Sequence, residues 1–382
     1  MKKIYLDHAA TTPVDKKVME TMKHFFEDHF GNASSLHLFG REAKEYLEKS
    51  RRVILKKLNT KKHKLIFTSG GTESNNFAIK GVAFANKDKG KHIITTKIEH
   101  DCVLNACKWL EKQGFEITYL NVDKKGFINL EELKNSIRND TILVSVIHAN
   151  NEIGVIQDIE KIGEICKEKN IYFHTDACQS FTKIPINLKK QNIDLLTINS
   201  HKIYGPKGVG ALIIKEEVKI DPLLHGGGHE FKLRSGTENI SGIVGFAKAV
   251  SIAKERDVKH MKILKNYLIE KCLQMEDCFL NGPKERLCNN VNLYFKGIEG
   301  ESLILHLDSK GIASSTGSAC SSQSLEPSHV LTAIGLKPEE AHGSIRLSVG
   351  KENTIKEMEK VVNVLEESVE ILRKISPFNK NV

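Results

Sequence analysis

Between about residues 65 and 215 the sequence repeats one pattern, a short β-rich apolar run followed by a segment with helical spacing. The runs are Leu65-Ile-Phe-Thr68, His92-Ile-Ile-Thr-Thr96, Ile142-Leu-Val-Ser-Val-Ile147, Ile171-Tyr-Phe-His174 and Leu195-Leu-Thr-Ile198. Apolar runs of this length, bounded by turn residues, read as buried strands. Among the intervening segments, Asn129-Leu-Glu-Glu-Leu-Lys-Asn-Ser-Ile-Arg138 begins with Asn129 and Glu132 at capping-box spacing. Strand–helix alternation predicts an α/β fold built on a mostly parallel, doubly wound sheet.

The last third of the chain is patterned differently. From about residue 255 helices mix with shorter strands, which predicts a second, smaller α+β domain. The expected division gives residues 13–255 to the large domain, and residues 1–12 with 256–382 to the small one. The final helix is amphipathic: Ile355, Met358, Val361, Val362, Leu365, Val369 and Leu372 recur at three- and four-residue steps. That face is expected to pack in the core.

Bulk properties narrow the function. A chain of 382 residues, 40% hydrophobic and 27% charged, buries a large core. Its net charge of +9 is spread along the sequence, with no basic stripe interleaved with aromatics, so nucleic-acid binding is not indicated. The N-terminal residues lack the apolar stretch of a signal peptide, and no run reaches transmembrane length. Eight scattered cysteines without a CxxC pair predict reduced thiols, no structural zinc and a cytoplasmic setting.

Ligands of open parallel sheets bind beyond the carboxyl ends of the strands. Each run is followed there by polar residues: Ser69-Gly70-Gly71-Thr72 after the first, Glu99-His100 after the second, Asn150-Asn151-Glu152 after the third. Asp176 and Gln179 follow the fourth, and Asn199-Ser200-His201-Lys202 the fifth. The Ser-Gly-Gly-Thr turn suits a phosphate, because glycines let backbone N–H groups converge and Thr72 adds a hydroxyl. Asp176 reads either as a turn carboxylate or as the counter-ion of a protonated pyridine. His100 is either a loop histidine or a ring-stacking group able to transfer protons. Lys202, in Asn199-Ser-His-Lys-Ile-Tyr-Gly-Pro-Lys-Gly208, is an amine placed to form an imine with an aldehyde.

With these residues assembled, the chain resembles the fold-type I pyridoxal-phosphate enzymes, and more closely the cysteine desulfurases that supply sulfur for iron–sulfur cluster and nitrogenase assembly. The resemblance runs from Tyr5-Leu-Asp-His-Ala-Ala-Thr-Thr-Pro13 to about Ser376-Pro377. It includes Gly31-Asn-Ala-Ser-Ser35, Thr68-Ser-Gly-Gly-Thr-Glu-Ser74, Asn150-Asn-Glu-Ile-Gly154, Arg234-Ser-Gly-Thr237 and Ser315-Thr-Gly-Ser-Ala-Cys-Ser-Ser322. It implies a seven-stranded sheet in the large domain and a pyridoxal 5'-phosphate cofactor attached to Lys202. Asp176 would meet the pyridine nitrogen, Gln179 the ring hydroxyl and His100 the ring face. Gly71, Thr72, His201 and a partner subunit's Thr237 would hold the phosphate, which implies a homodimer. Asn151 and Arg346 would bind the substrate carboxylate.

Cys320 narrows the reaction implied. It lies in Ser314-Ser-Thr-Gly-Ser-Ala-Cys-Ser-Ser-Gln-Ser324, and a thiol in a Gly/Ser-rich loop (about residues 314–327) is free to reach substrate, whereas the other seven cysteines are expected to be buried. The resemblance makes Cys320 the nucleophile that takes sulfur from L-cysteine, leaving alanine, before passing it to an iron–sulfur scaffold or another acceptor protein. Cys320 would then double as a cluster ligand during transfer.

Three features depart from the family pattern. Asn199 stands where a phosphate-binding Ser or Thr is usual, Cys178 sits close to Asp176, and few residues follow the last helix, where a scaffold-docking extension is expected. Two alternatives remain: a selenocysteine lyase or related lyase of the same fold, and a non-enzymatic sulfur carrier or scaffold. The His225-Gly-Gly-Gly-His229 run fixes no metal geometry.

Overall fold

The computed structural model describes residues 3–316 and 326–375. A two-residue strand, β1 (Ile4–Tyr5), precedes the seven strands of the main sheet. These are β2 (His63–Thr68), β3 (His92–Thr96), β4 (Glu116–Leu120), β5 (Thr141–Ser145), β6 (Tyr172–Asp176), β7 (Leu195–Asn199) and β8 (Gly210–Lys215). Their spatial order is β2-β8-β7-β6-β5-β3-β4. All neighbours are parallel except β8, which runs antiparallel to both β2 and β7.

The apolar runs are continuous because helices cover both faces of this sheet. Alternate residues enter opposite cores: Leu65, Phe67, Ile94, Val144, Leu196 and Ile213 pack on one side, and Ile66, Ile93, Leu143, Leu195 and Leu212 on the other. Every residue of β3, β5 and β7 is buried. Parallel order puts the ends of β3, β5, β6 and β7 along one edge, and β2, antiparallel to β8, also ends there at Thr68.

A separate core forms around a three-stranded antiparallel sheet of β9 (Cys278–Leu280), β10 (Asn290–Phe295) and β12 (Ser344–Ser348), while β11 (Ile312–Ala313) pairs in parallel with β1. The helix Ile355–Ile375 buries Met358, Val361, Leu365 and Val369 against it, with Val362 and Leu372 partly covered. Ile4 and Leu6 join the same core. This crossing brings Asp7 and Arg346 to the mouth of the main sheet.

Three expectations change. The sheet gains two strands beyond the five expected runs, the mixed β4 and the apolar β8. The Asn129 cap is half of a capping box: its Oδ1 accepts from the Glu131 and Glu132 N–H groups, but the Glu132 carboxylate turns to Asn121 instead of back to the cap. Finally, Cys102 is half-buried rather than buried, unlike the other six described cysteines.

Candidate active site

The strand ends enclose a cavity of about 270 Å³, the scale of a small-molecule site. Gly71 and Thr72 enter it from the helix that follows β2, His100 from beyond β3, Asn151 from beyond β5 and Asp176 from the last position of β6. Asn199, His201 and Lys202 come from the end of β7, and Arg346 from β12. Two expected residues lie outside it. Gln179 is buried and its side-chain amide donates to the Ala9 carbonyl at 2.8 Å. Thr237 is exposed on the surface of this chain. Cys320 falls outside the described residues.

The charges are fixed by their neighbours. The Asp176 carboxylate is buried, accepting from Asn75 Nδ2 at 2.7 Å and from the Cys178 N–H at 2.8 Å. Lys202 is half-buried, and its amine makes no hydrogen bond or ion pair with any described residue. The Arg346 guanidinium is buried; Nη2 donates to Asp7 Oδ1 at 2.8 Å and Nη1 to the Asn151 carbonyl at 3.1 Å. It is thereby held at the cavity wall beside Asn151.

Burial sets the protonation of the histidines. It lowers the pKa of His100, helped by the neighbouring Lys202 ammonium, so the ring is neutral at physiological pH. Burial and Lys202 bring His201 down to about 4, and its Nδ1 lies 3.1 Å from the Thr11 hydroxyl. The Cys178 thiol, packed behind Asp176, is pushed well up by burial and then by that carboxylate. A raised thiol pKa disfavours Cys178 as a second nucleophile.

Gly71 is required by space. A Cβ there would lie 2.7 Å from Cys178 Sγ and 3.5 Å from Asn199 Nδ2. The Asn199 Oδ1 is buried without a hydrogen-bond partner among the described residues, so this end of the cavity offers a polar group that they do not satisfy.

Several site residues escape sequence reasoning. Asn75 bridges Asp176 and Cys102, Asp7 anchors Arg346, and Asp101, Cys102 and His329 line the rim. His329 Nε2 meets the Glu99 carbonyl at 2.8 Å, and Ser328 donates to the buried Glu152 at 2.6 Å. Asn75 follows the Ser-Gly-Gly-Thr turn by one helical turn, a spacing that puts it on the same face as Gly71. The others depend on contacts across the fold and leave no local signal.

A lysine without a partner among the described residues, a carboxylate held deep at a strand end and a polar, glycine-lined cradle are the groups a pyridoxal-phosphate site on an α/β sheet requires. The chain belongs to the aminotransferase class-V family, whose model matches residues 4–361. It is similar to the cysteine desulfurase IscS of Methanosarcina thermophila, 54% identical over 99% of this chain and 94% of that protein. The cysteine desulfurase IscS of Dictyoglomus turgidum is 52% identical over 99% and 98%. Among solved structures, a NifS-like protein superposes with a TM-score of 0.91 at 39% identity, covering 97% of this chain and all of that one. A structure described as SspA in complex with cysteine has a TM-score of 0.83 at 38% identity, covering 92% and 100%.

Proposed function

We infer that this chain is a pyridoxal 5'-phosphate-dependent cysteine desulfurase, which converts L-cysteine to L-alanine and takes the sulfur as a persulfide on Cys320. The observation that carries the reading is the convergence of Lys202, Asp176, His100 and Arg346 on one cavity at the strand ends. Full-length relatives named cysteine desulfurase support it.

The residues present fit the cofactor. Lys202 would be its point of attachment, Asp176 its counter-ion at the pyridine nitrogen, and Gly71, Thr72, Asn199 and His201 its phosphate cradle. When bound, the cofactor supplies an electron sink for the charge that develops at the substrate Cα. Arg346, oriented by Asp7 and Asn151, receives the substrate carboxylate as a charge-assisted pair. The Lys202 amine, freed when the substrate amine takes its place, would accept the Cα proton, and the neutral His100 ring would handle the thiol proton. The Cys320 thiolate attacks the substrate sulfur; the C–S bond breaks, a S–S bond forms on Cys320, Cβ takes a proton in place of sulfur, and Cα regains its proton to give alanine.

Other parts of the reading concern assembly. A homodimer accounts for the exposed Thr237, which would complete the phosphate cradle of a partner subunit. The persulfide passes to an iron–sulfur scaffold or another acceptor protein, and Gln179 would have to leave the Ala9 carbonyl to meet the ring hydroxyl. The division into domains at residues 12/13 and 255/256 follows the two cores. No helix among the described residues is long and apolar enough to cross a membrane. The seven described free cysteines suit the cytoplasm.

The test is direct. Purified protein is expected to be yellow, to bleach with borohydride at Lys202, and to release alanine and sulfide from L-cysteine with a thiol reductant. Cys320→Ser keeps the colour and the substrate-induced spectral change but forms no persulfide. Absence of alanine with cofactor-saturated protein overturns the enzymatic reading, and extra sulfur found by mass analysis on Cys178 overturns the nucleophile.

A further inference from the structure

His100 serves two elements at once. It lines the cavity, and it is also the N-cap of the helix Asp101–Glu111, where its Nδ1 accepts from the Cys102 backbone N–H at 3.2 Å. The Cys102 sulfur lies 3.1 Å from the same Nδ1. Asn75 Nδ2 is 3.1 Å from that sulfur and 2.7 Å from Asp176 Oδ2. The other ring nitrogen, Nε2, makes no hydrogen bond to a described residue.

We propose that Cys102 is a positioning residue for His100: its thiol, oriented by Asn75, holds the imidazole as the tautomer that carries its proton on Nε2.

The polarity follows from which groups can only donate. A backbone N–H has no lone pair, so Nδ1 must present its own lone pair to the Cys102 N–H and carries no proton. The thiol beside Nδ1 then points its S–H at the same lone pair. Asn75 makes this orientation the favourable one, since its two N–H groups are divided between the sulfur and the Asp176 carboxylate. Hydrogen bonds therefore run in one direction, from Asn75 through the thiol to Nδ1. Burial and Asp176 raise the Cys102 pKa to about 12, which keeps the S–H in place across the working range. Protonation of Nδ1 would set a new N–H against two donors, so any proton His100 gives to or takes from substrate must travel through Nε2.

The inference rests on the reading of His100 as the proton-handling group of the desulfurase, and it deepens that reading. The charged or titratable groups that face His100 are Lys202, Asp176, Asp101 and His329, with Cys102 itself. All remain unchanged when residue 102 is replaced, apart from Cys102.

The experiment uses cofactor-loaded enzyme labelled with ¹⁵N at histidine, the His100 signals being assigned by their loss in His100→Gln. Wild type is expected to show the Nε2–H tautomer. Cys102→Ala is expected to raise the protonation midpoint of His100 by roughly half a pH unit, the effect of losing one weak donor at the basic nitrogen. Cys102→Ser keeps a donor and should return the midpoint toward wild type. The acid limb of the pH profile for alanine formation should move with it. An Nδ1–H tautomer in wild type overturns the proposal, as does a midpoint that stays put or falls in Cys102→Ala; a fall would mean that sulfur accepts from the ring. Alanine formation by wild type tests the parent reading separately. A shifted midpoint in a protein that forms no alanine upholds the positioning role and overturns the desulfurase.

Discussion

Asp176 illustrates how much one residue depends on partners that are distant in sequence. Its two oxygens are held by the Asn75 amide and the Cys178 N–H, so the carboxylate is fixed before any cofactor nitrogen meets it. Replacing the charge with Asp176→Asn retains the shape and removes the counter-ion. Alanine formation is expected to fall by about two orders of magnitude, the equivalent of roughly 3 kcal/mol, while the yellow colour from Lys202 attachment persists. A rate within tenfold of wild type would exclude the counter-ion role. Asn199 makes a second residue-scale case. Its long carboxamide lies beside Gly71 and leaves Oδ1 buried without a partner among the described residues. Asn199→Ser is expected to slow cofactor dissociation, and a dissociation rate unchanged or faster would show that Asn199 anchors the cofactor no less firmly than Ser. Lys202, Asp176 and His100 were legible because each lies within four residues of the end of an apolar run. Asn75, Asp7 and Cys102 were not, because what makes them functional is a hydrogen bond between elements far apart in the chain.

At the scale of elements, apolar runs identify strands buried on both faces, and they fail at the two that differ. The edge strand β4, Glu116–Leu120, buries only its last residue fully, so its sequence is mixed. The antiparallel β8 is as apolar as its neighbours, but apolarity carries no direction. The signal lay in the connection: the stretch from Asn199 to Gly210 is a Gly/Pro turn too short for a helical crossover. Reversal at β8 also lets β2 deliver the Gly71 turn to the same edge as Lys202. The outer flank of β2 is tied down by a buried ion pair. Arg51, on the helix Leu38–Lys57, donates to both Glu230 oxygens at 2.9 and 2.8 Å, and also to the Leu65 carbonyl. Glu230 in turn accepts the Phe67 N–H of β2 at 2.7 Å, while adopting a left-handed backbone at φ 46°. Arg51→Met strands a buried carboxylate and is expected to destabilise the protein by about 3–5 kcal/mol in urea unfolding. Arg51→Met together with Glu230→Leu should recover much of that loss; equal loss in the single and double variants would show that the ion pair does not carry the effect.

For the whole molecule, burial of titratable groups gives stability a maximum in pH. His148 and His174 are enclosed and neutral, with pKa values lowered by burial to about 4 from 6.5. Below 6.5 the unfolded chain binds these protons and the folded chain does not. Their contribution is therefore complete above 6.5 and is lost as pH falls toward 4. Each costs about 1.5 kcal/mol between pH 6.5 and 5. His8, His63, His92 and His100 are lowered by burial and act in the same direction. Glu99 acts oppositely. Enclosed beside Thr96 and the Ile147 N–H, it is raised by burial from 4.5 to about 8, so the folded chain keeps a proton that the unfolded chain loses. Its contribution is complete below 4.5 and is lost as pH rises through 8. Glu152 and Asp194, raised chiefly by burial, add to that limb. The two limbs cross near pH 6.5, where the denaturation midpoint is expected to peak. Glu99→Gln removes one part of the upper limb. In that variant the loss of stability between pH 6.5 and 8 should shrink by about 1.5 kcal/mol, with the acid limb becoming steeper below 6.5. A variant whose stability falls above pH 6.5 as steeply as wild type would show that Glu99 is already ionised in the folded protein.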